Sequence, residues 1–533
     1  MKRIKIYVAL AAICAVSLAG CRPEGEDILS YGYNDAQAFA PAGQSYAAQF
    51  EVLWTAMNCN YGIWDYEEEL GVDWDQVHKE YLPKFKALDD TTRQTRVDDK
   101  ELDSLYSEVL NRLHDGHLYV QIKNIQTGKN LSFSPATVRN LRERGEELSW
   151  NRKNSTDLHY YINAGEWRML DFDETNISMP SREHIFRMSK LVLSKIPAFI
   201  ATLPAQGTSA AADSLRTVIE SMQENANNFI DRINKGSDVP TLITDYNFFC
   251  EVYRIPCEMM DINIQPVDNQ MANRNELRSI CYALFPGNIA YLRFSSFALG
   301  KHLDTTVLQE DSSSVYVSYQ WAINRIWHHW FDTIQVLSKN NELGGVIIDL
   351  RNNGGGNAAD YQYVLGALLP SGGFISHTMR TKNGMGRLDY GPNMPFRFPT
   401  YPAEHAVIDK QPVVVLANVN SVSMAEITSW GAKNMPGKNG KLIGTRTWGG
   451  LSCLIDDPTY YSLDYSGCFG VENVTPVYVY CPRNISLYGE ENKILEGVGI
   501  TPDIEVTLDT AKYLLNGQDT QLERALEYIK TGN

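Results

Sequence analysis

The chain has 533 residues, 44% of them hydrophobic, and a formal net charge of −16. An acidic balance of this size excludes nucleic acid and anionic membrane surfaces as electrostatic partners, and the length supplies material for two or three packed domains. Nine cysteines at irregular spacing form no disulfide framework and no cluster with zinc-ligand spacing, so neither a metal nor another cofactor is expected.

Residues 1–20 start with Lys2, Arg3 and Lys5, run through an apolar centre from Ile6 to Val16, and end at Leu18-Ala19-Gly20 before Cys21. That is the pattern of a bacterial secretory signal closed by a lipobox, whose cysteine takes lipid after cleavage. Removal of three basic and no acidic residues takes the charge to −19. No other stretch has the roughly 18 apolar residues of a spanning helix. The expected location is the bacterial cell envelope, periplasmic or surface-exposed, with Cys21 lipidated and residues 21–45 as a tether.

Residues 46–122 read as a helical cap. Phe50, Leu53, Trp54 and Met57 recur at helical steps, as do Leu102, Leu105, Tyr106, Val109, Leu110 and Leu113, and Asp73 opens a helix from Trp74 toward Tyr81. The cap ends at Leu113-His114-Asp115-Gly116-His117, before the strand-like Leu118–Ile122. Residues 123–286 form a mixed middle region, β-rich as far as Met179 and then helical over 181–203 and 213–235. Cys250 with Cys257, and Cys453 with Cys468, can pair or remain buried thiols. His328 and His329 lie in a helix with Trp321, Trp327 and Trp330 and read as packing rather than ligands.

Residues 287–508 form the core. A strand at Gly287–Phe294 and a helix over 321–337 lead to the buried strand Gly345–Leu350, and strands alternating with helices imply βαβ units. The second strand opens into Asp349-Leu350-Arg351-Asn352-Asn353-Gly354-Gly355-Gly356, where glycines free the backbone to approach a ligand, and a helix is expected over 358–369. The apolar run Val413–Ala417 then breaks through a turn into Ser421-Val422-Ser423-Met424-Ala425-Glu426 and a helix. A serine there can be a cap. It can also be a nucleophile, since free amides and the helix dipole favour charge developing on an attacked carbonyl. Residues 509–533 carry a final helix capped by Asp519.

The D-L-R-N-N-G-G-G and S-x-S-x-x-E elements together resemble the tail-specific (C-terminal processing) serine peptidases, with their relatives the tricorn core peptidases and the interphotoreceptor retinoid-binding modules. The resemblance implies an α/β core of the Clp-protease/crotonase-like ββα spiral type, Ser423 as nucleophile, and an oxyanion hole from the Met424 N–H with one from Gly355 or Gly356. In tail-specific peptidases a lysine serves as base, and its place here is Gly450, within Thr445-Arg446-Thr447-Trp448-Gly449-Gly450. Asp115-Gly116-His117 is instead similar to the tricorn-like D-G-H, which implies His117 as base. Leu495-Glu496-Gly497-Val498 resembles the element carrying the tetrad glutamate, which implies Glu496 as the acid that orients the imidazole. The serine that joins histidine to glutamate in the tricorn core is Gly116 here. Glu426 reads as a brace for the serine turn. No PDZ domain is legible between cap and core. The implied activity is a lipid-anchored serine endopeptidase acting on polypeptides. The alternatives are a dyad using Lys433, Lys438 or Lys441, and an inactive module binding peptide or a hydrophobic ligand.

Overall fold

The computed structural model describes residues 41–153, 181–235 and 239–532, apart from 265–279, 304–314, 401–407, 453–468 and a few shorter gaps. Helices α1 (Tyr46–Asn60), α2 (Trp64–Glu69), α3 (Trp74–Leu88) and α4 (Asp99–Leu110) precede the hairpin β1 (Tyr119–Lys123) and β2 (Asn130–Phe133). Five helices follow: α5 (Pro135–Lys153), α6 (Ser181–Ile200), α7 (Ala210–Asn234), α8 (Val239–Val252) and α9 (Arg254–Met259). Next come β3 (Ile280–Phe285), β4 (Ile289–Phe294), α10 (Val315–Lys339), β5 (Gly345–Asp349), β6 (Ile375–Thr381), β7 (Met394–Arg397) and β8 (Val413–Ala417). The chain closes with α11 (Met424–Lys433), β9 (Gly440–Gly444), β10 (Val477–Tyr480), β11 (Asn484–Leu487), β12 (Ile504–Glu505), α12 (Thr510–Asn516) and α13 (Thr520–Thr531). The fold is mixed α/β with a helical N-terminal region, as expected.

Two compact units share the chain. The first comprises residues 1–143, 375–397 and 448–499. Side-chain caps start its helices: Ser45 Oγ accepts from Ala48 N (3.1 Å), Asp73 from Gln76 N (2.8 Å) and Asp98 from Glu101 N (2.7 Å). Phe50, Leu53, Trp64, Trp74, Phe85 and Tyr106 then pack with Val120, Ile122, Val477 and Ile485 in one core. Each such side chain contributes about 1.5–3 kcal/mol by leaving water. Two antiparallel three-stranded sheets, β10-β1-β2 and β11-β6-β7, complete this unit.

The second unit comprises residues 144–374, 398–447 and 500–533. Its six-stranded sheet has the order β12-β9-β8-β5-β4-β3, parallel except for the β3–β4 hairpin. Every residue of β5 and β8 is buried, which is why both read as unbroken apolar runs rather than alternating ones. Leu522, Ala525 and Leu526 of α13 pack on the sheet with Ile347, Val414 and Ile443. Helices α6–α9 gather around their own core of Ile185, Met222, Phe229, Tyr246 and Phe249.

Two local expectations change. The stretch 358–369 forms two short 3-10 turns, Ala358–Tyr363 and Gly366–Leu368, rather than an α-helix. The Trp327 indole donates to the Tyr363 carbonyl (2.6 Å), occupying an acceptor that a continuing helix would use. Among the described residues of 123–179, the β-rich reading holds only for the hairpin, because α5 follows it at once. Ser134 and Pro135, a cap and a first-turn proline, start that helix, and residues 154–180 lie outside the described residues. Cys250 and Cys257 are free buried thiols, with burial pushing them up to about 12 and about 11. Cys453 and Cys468 lie outside the described residues.

Candidate active site

The serine turn belongs to the sheet unit. Strand β8 runs out into Asn418–Val422, and Ser423 sits at the N-terminus of α11 with φ 57° and ψ −119°. A residue with a Cβ in that conformation carries strain of about 1–3 kcal/mol, held only where the surroundings over-determine it. Here the Val422 amide donates to the Asn353 carbonyl (2.9 Å) and the Ser423 amide to Glu426 Oε2 (3.1 Å). Glu426 is fully buried, and its Oε1 accepts from Thr447 Oγ1 (2.6 Å), which itself accepts from Ile500 N (2.7 Å). Glu426 is therefore a brace that ties the serine turn to the segment leading into Trp448. Ser421 is different. It is buried, donates to the Leu350 carbonyl (2.8 Å) and accepts from Asn418 N (3.0 Å), so its hydroxyl is committed to the fold.

The glycine loop after β5 is built against this turn. Asn352, at φ 59°, accepts through its side chain from the Asn418 and Asn420 side chains (3.1 Å each), and its amide donates to Asn418 Oδ1 (3.0 Å). Asn353 donates to the Phe294 carbonyl (2.9 Å), which stitches the loop to β4. Gly355 has φ 87°, and a Cβ there would lie 2.6 Å from Ser423 Cβ and 3.0 Å from Met424 N. Only glycine permits this approach. Of the two candidate oxyanion glycines, Gly355 spends its N–H on Asn353 Oδ1 (2.8 Å). Gly356 joins Phe297 in a parallel bridge that uses the Gly355 carbonyl and the Asn357 amide, leaving the Gly356 N–H outside that ladder. Met424 N is the first amide of α11 and has no intrahelical acceptor.

Below the loop, Arg351 is wholly buried and bonds Asp349 Oδ2 (2.6 Å), Asp519 Oδ2 (2.7 Å) and Gln521 Oε1 (3.0 Å). Burial alone would raise the Asp349 carboxyl, but the Arg351 guanidinium holds it below the usual range. Burial pushes the neighbouring Arg293 down to about 10 despite Asp349.

The other sequence-predicted residues lie in the first unit. The 113–118 turn is pinned by two carboxylates. Glu67 accepts from His114 N (2.7 Å), pairs with His114 Nδ1 (2.8 Å) and takes the Tyr61 hydroxyl (2.7 Å). Asp115 Oδ1 accepts from His117 N (2.6 Å) and Leu118 N (3.0 Å). Glu496 is buried, with Oε2 accepting from Leu451 N (2.5 Å) and Ser452 N (3.1 Å) and Oε1 standing 3.7 Å from His117 Nδ1. That separation suits an ion pair and is beyond a hydrogen bond. His117, Glu496 and Asp115 each bring one polar side-chain atom within 4.8 Å of the others. The Asp115 carboxyl is pushed up to about 8 by burial and by the Glu496 charge. Nothing in the sequence marked Asp115 beyond its place in D-G-H; its burial is a tertiary property.

The two glycines at the lysine and serine places of the relatives face each other. A Cβ on Gly116 would lie 2.1 Å from the Gly449 carbonyl oxygen, and one on Gly450 would lie 3.4 Å from His117 Cε1. The Trp448 indole donates to the Gly116 carbonyl (3.1 Å) and closes this packing. Of the alternative lysines, Lys433 ends α11, about 15 Å along the helix from Ser423, and bonds the Thr501 carbonyl (2.6 Å) and Asp503 (3.3 Å). Lys441 pairs in register with Val414, about 10 Å before the end of β8. Lys438 lies outside the described residues.

Residues 288–506 match the model of Peptidase family S41. The chain is 28% identical over 185 residues to the tricorn protease of Thermoplasma volcanium, covering 35% of this chain and 14% of that protein. It is 28% identical over 173 residues to a carboxy-terminal-processing protease of Bartonella bacilliformis, covering 32% of this chain and 33% of the relative. The matches thus span a third or less of the length of these relatives. Among solved structures it is similar to mature CPAF complexed with lactacystin, at 12% identity and a TM-score of 0.43, over 92% of this chain and 100% of that one. With the D-L-R-N-N-G-G-G loop and the strained serine turn inside the matched stretch, residues 288–506 of the chain are similar to Peptidase family S41.

Proposed function

We propose that the protein is a serine endopeptidase that hydrolyses polypeptides through an acyl-enzyme on Ser423. The observation that carries this reading is the strained Ser423 at a helix N-terminus, with a glycine loop packed against it. A serine near its ordinary pKa is a poor nucleophile and requires a base. His117 takes its proton and returns it to the leaving amine, while Glu496 behind Nδ1 fixes the tautomer and stabilises the imidazolium. The Met424 and Gly356 amides receive the oxyanion, at about 3–4 kcal/mol for a well-placed donor. The lipobox supports export and anchorage to the bacterial envelope through Cys21.

Fluorophosphonate labelling tests the reading. Wild type and Ser421→Ala should label, and Ser423→Ala should not. An unlabelled wild type that hydrolyses no unstructured peptide, yet binds one, would make this chain a binding module.

A further inference from the structure

Two carboxyls crowd behind the imidazole, and only part of their hydrogen-bonding capacity is used. Asp115 is fully buried; its Oδ1 holds the His117 and Leu118 amides, while its Oδ2 has no hydrogen-bond partner among the described residues. Glu496 is also buried; its Oε2 holds two amides, while its Oε1 has no hydrogen-bond partner among them. One oxygen of each carboxyl lies within 4.8 Å of the other and of His117. Two ionised carboxylates this close in a dry site repel, and one proton shared between them removes the repulsion. A hydroxyl from residue 116 cannot serve instead, because no Cβ fits there.

We propose that Asp115 is a positioning residue for the His117–Glu496 pair, a neutral carboxylic acid that donates its proton to Glu496 Oε1 and so aims the glutamate at the imidazole. The proposal rests on His117 being the base. The negative charge then stays on Glu496, ready for the imidazolium, and the two carboxyls close on the shared proton. The groups that face Asp115 agree with a neutral acid. Glu496 and His117 flank it, Glu67 of α2 adds a second negative charge, and Tyr61 adds a neutral hydroxyl. The Arg139 guanidinium of α5 is nearby but turned to the Leu113 carbonyl (3.4 Å) and Gly497. Burial and the Glu496 charge hold the Asp115 carboxyl at about 8, neutral through the pH range where a histidine base works.

The sign of the linkage gives a readout that does not depend on activity. A carboxyl raised to about 8 in the folded protein contributes stability that is present below its unfolded value of about 3.9 and is lost as pH rises through 8. The experiment measures Tm from about pH 5 to 8.5, together with fluorophosphonate labelling, for wild type, Asp115→Asn, Asp115→Ala, Glu496→Gln and His117→Ala. Asp115→Asn keeps the amide clamp and places a permanent donor at the Oδ2 position. It should label within about 3-fold of wild type at pH 7 and gain Tm on wild type as pH rises, whereas Asp115→Ala should label at least about 30-fold more slowly. Glu496→Gln should flatten the wild-type Tm slope by removing the charge that raises Asp115. A Tm difference between wild type and Asp115→Asn that does not change with pH overturns the proposal, and so does Asp115→Asn labelling as slowly as Asp115→Ala. Failure of the base assignment reads differently: His117→Ala would label at the wild-type rate, while the Tm series would still decide the state of Asp115.

Discussion

Ser421 donates to the Leu350 carbonyl and accepts from the Asn418 amide, both inside the fold. Replacing it with alanine leaves the buried Asn418 amide unpaired and the Leu350 carbonyl with the Asn353 amide alone, so Ser421→Ala should cost about 1–3 kcal/mol of stability, read as a lower denaturation midpoint, with labelling intact in the folded fraction. His117 is tested by rate. His117→Ala should lower turnover on an unstructured peptide by orders of magnitude with little change in Tm. Survival of the rate in that variant, with its loss in Lys433→Ala, Lys438→Ala or Lys441→Ala, would replace the histidine by a lysine. The glycine pair limits what substitution can restore. Gly450→Lys sets a Cβ against His117, and Gly116→Ser drives one into the Gly449 carbonyl. Gly116→Ser should unfold the 113–118 turn, seen as lost hydrogen-exchange protection there, rather than rebuild the relatives' hydroxyl link.

Helix α13 matters to the glycine loop because its cap, Asp519, is also the partner of Arg351. The same carboxylate accepts from Leu522 N (3.0 Å) and grips the guanidinium (2.7 Å). Removing one partner of a buried pair leaves a charge uncompensated, so Asp519→Ala should cost about 3–5 kcal/mol and slow Ser423 labelling through a loosened 349–356 segment. Equal loss of stability with an unchanged labelling rate would show that the helix does not support the loop. In the first unit, β6 carries a histidine of another kind. His377 lies in the packed interior against Phe396 and Tyr488, and burial pushes its imidazole down to about 3. A base depressed in the folded state contributes stability that is present above its unfolded value of 6.5 and lost as pH falls toward about 3. The acid limb of the wild-type Tm curve should therefore flatten in His377→Phe.

At the scale of the molecule, the chain passes between its two units at 143/144, 374/375, 397/398, 447/448 and 499/500. The first of these passages coincides with a kink in α5, where Arg144 leaves helical geometry at φ −140° and ψ 30°. Arg144 then donates to the Thr447 carbonyl (2.8 Å), so this crossing is tied to the one at 447/448 within the second unit. The proposed anchor, Cys21, lies in residues 1–40, outside the described residues. Cys21→Ser should move the protein from membrane to soluble fractions, checked by fractionation and by mass spectrometry for the lipid. A variant that stays with the membrane, alongside a wild type without lipid, would overturn the envelope proposal.

The sequence by itself determined the features that depend on local order. Val413–Ala417 and Gly345–Asp349 are fully buried strands because β-branched and aliphatic runs of that length cannot be covered on one face only. The caps Ser45, Asp73, Asp98 and Asp519 start their helices because a short polar side chain satisfies amides three residues on. The D-L-R-N-N-G-G-G and S-x-S pattern carried the resemblance to the S41 peptidases, since close backbone approach requires glycine in any context. Only the tertiary structure decided which serine is committed to the fold, because the partner of Ser421 comes from position 350, far away in the chain. It also decided that 358–369 is not an α-helix, through an indole from α10, and that Gly355 spends its amide within its own turn. Above all it brought Asp115 and Glu496, 381 residues apart, into one dry cluster with His117. A carboxyl's protonation follows its burial and its neighbours' charge, and neither quantity is written in the residues beside it.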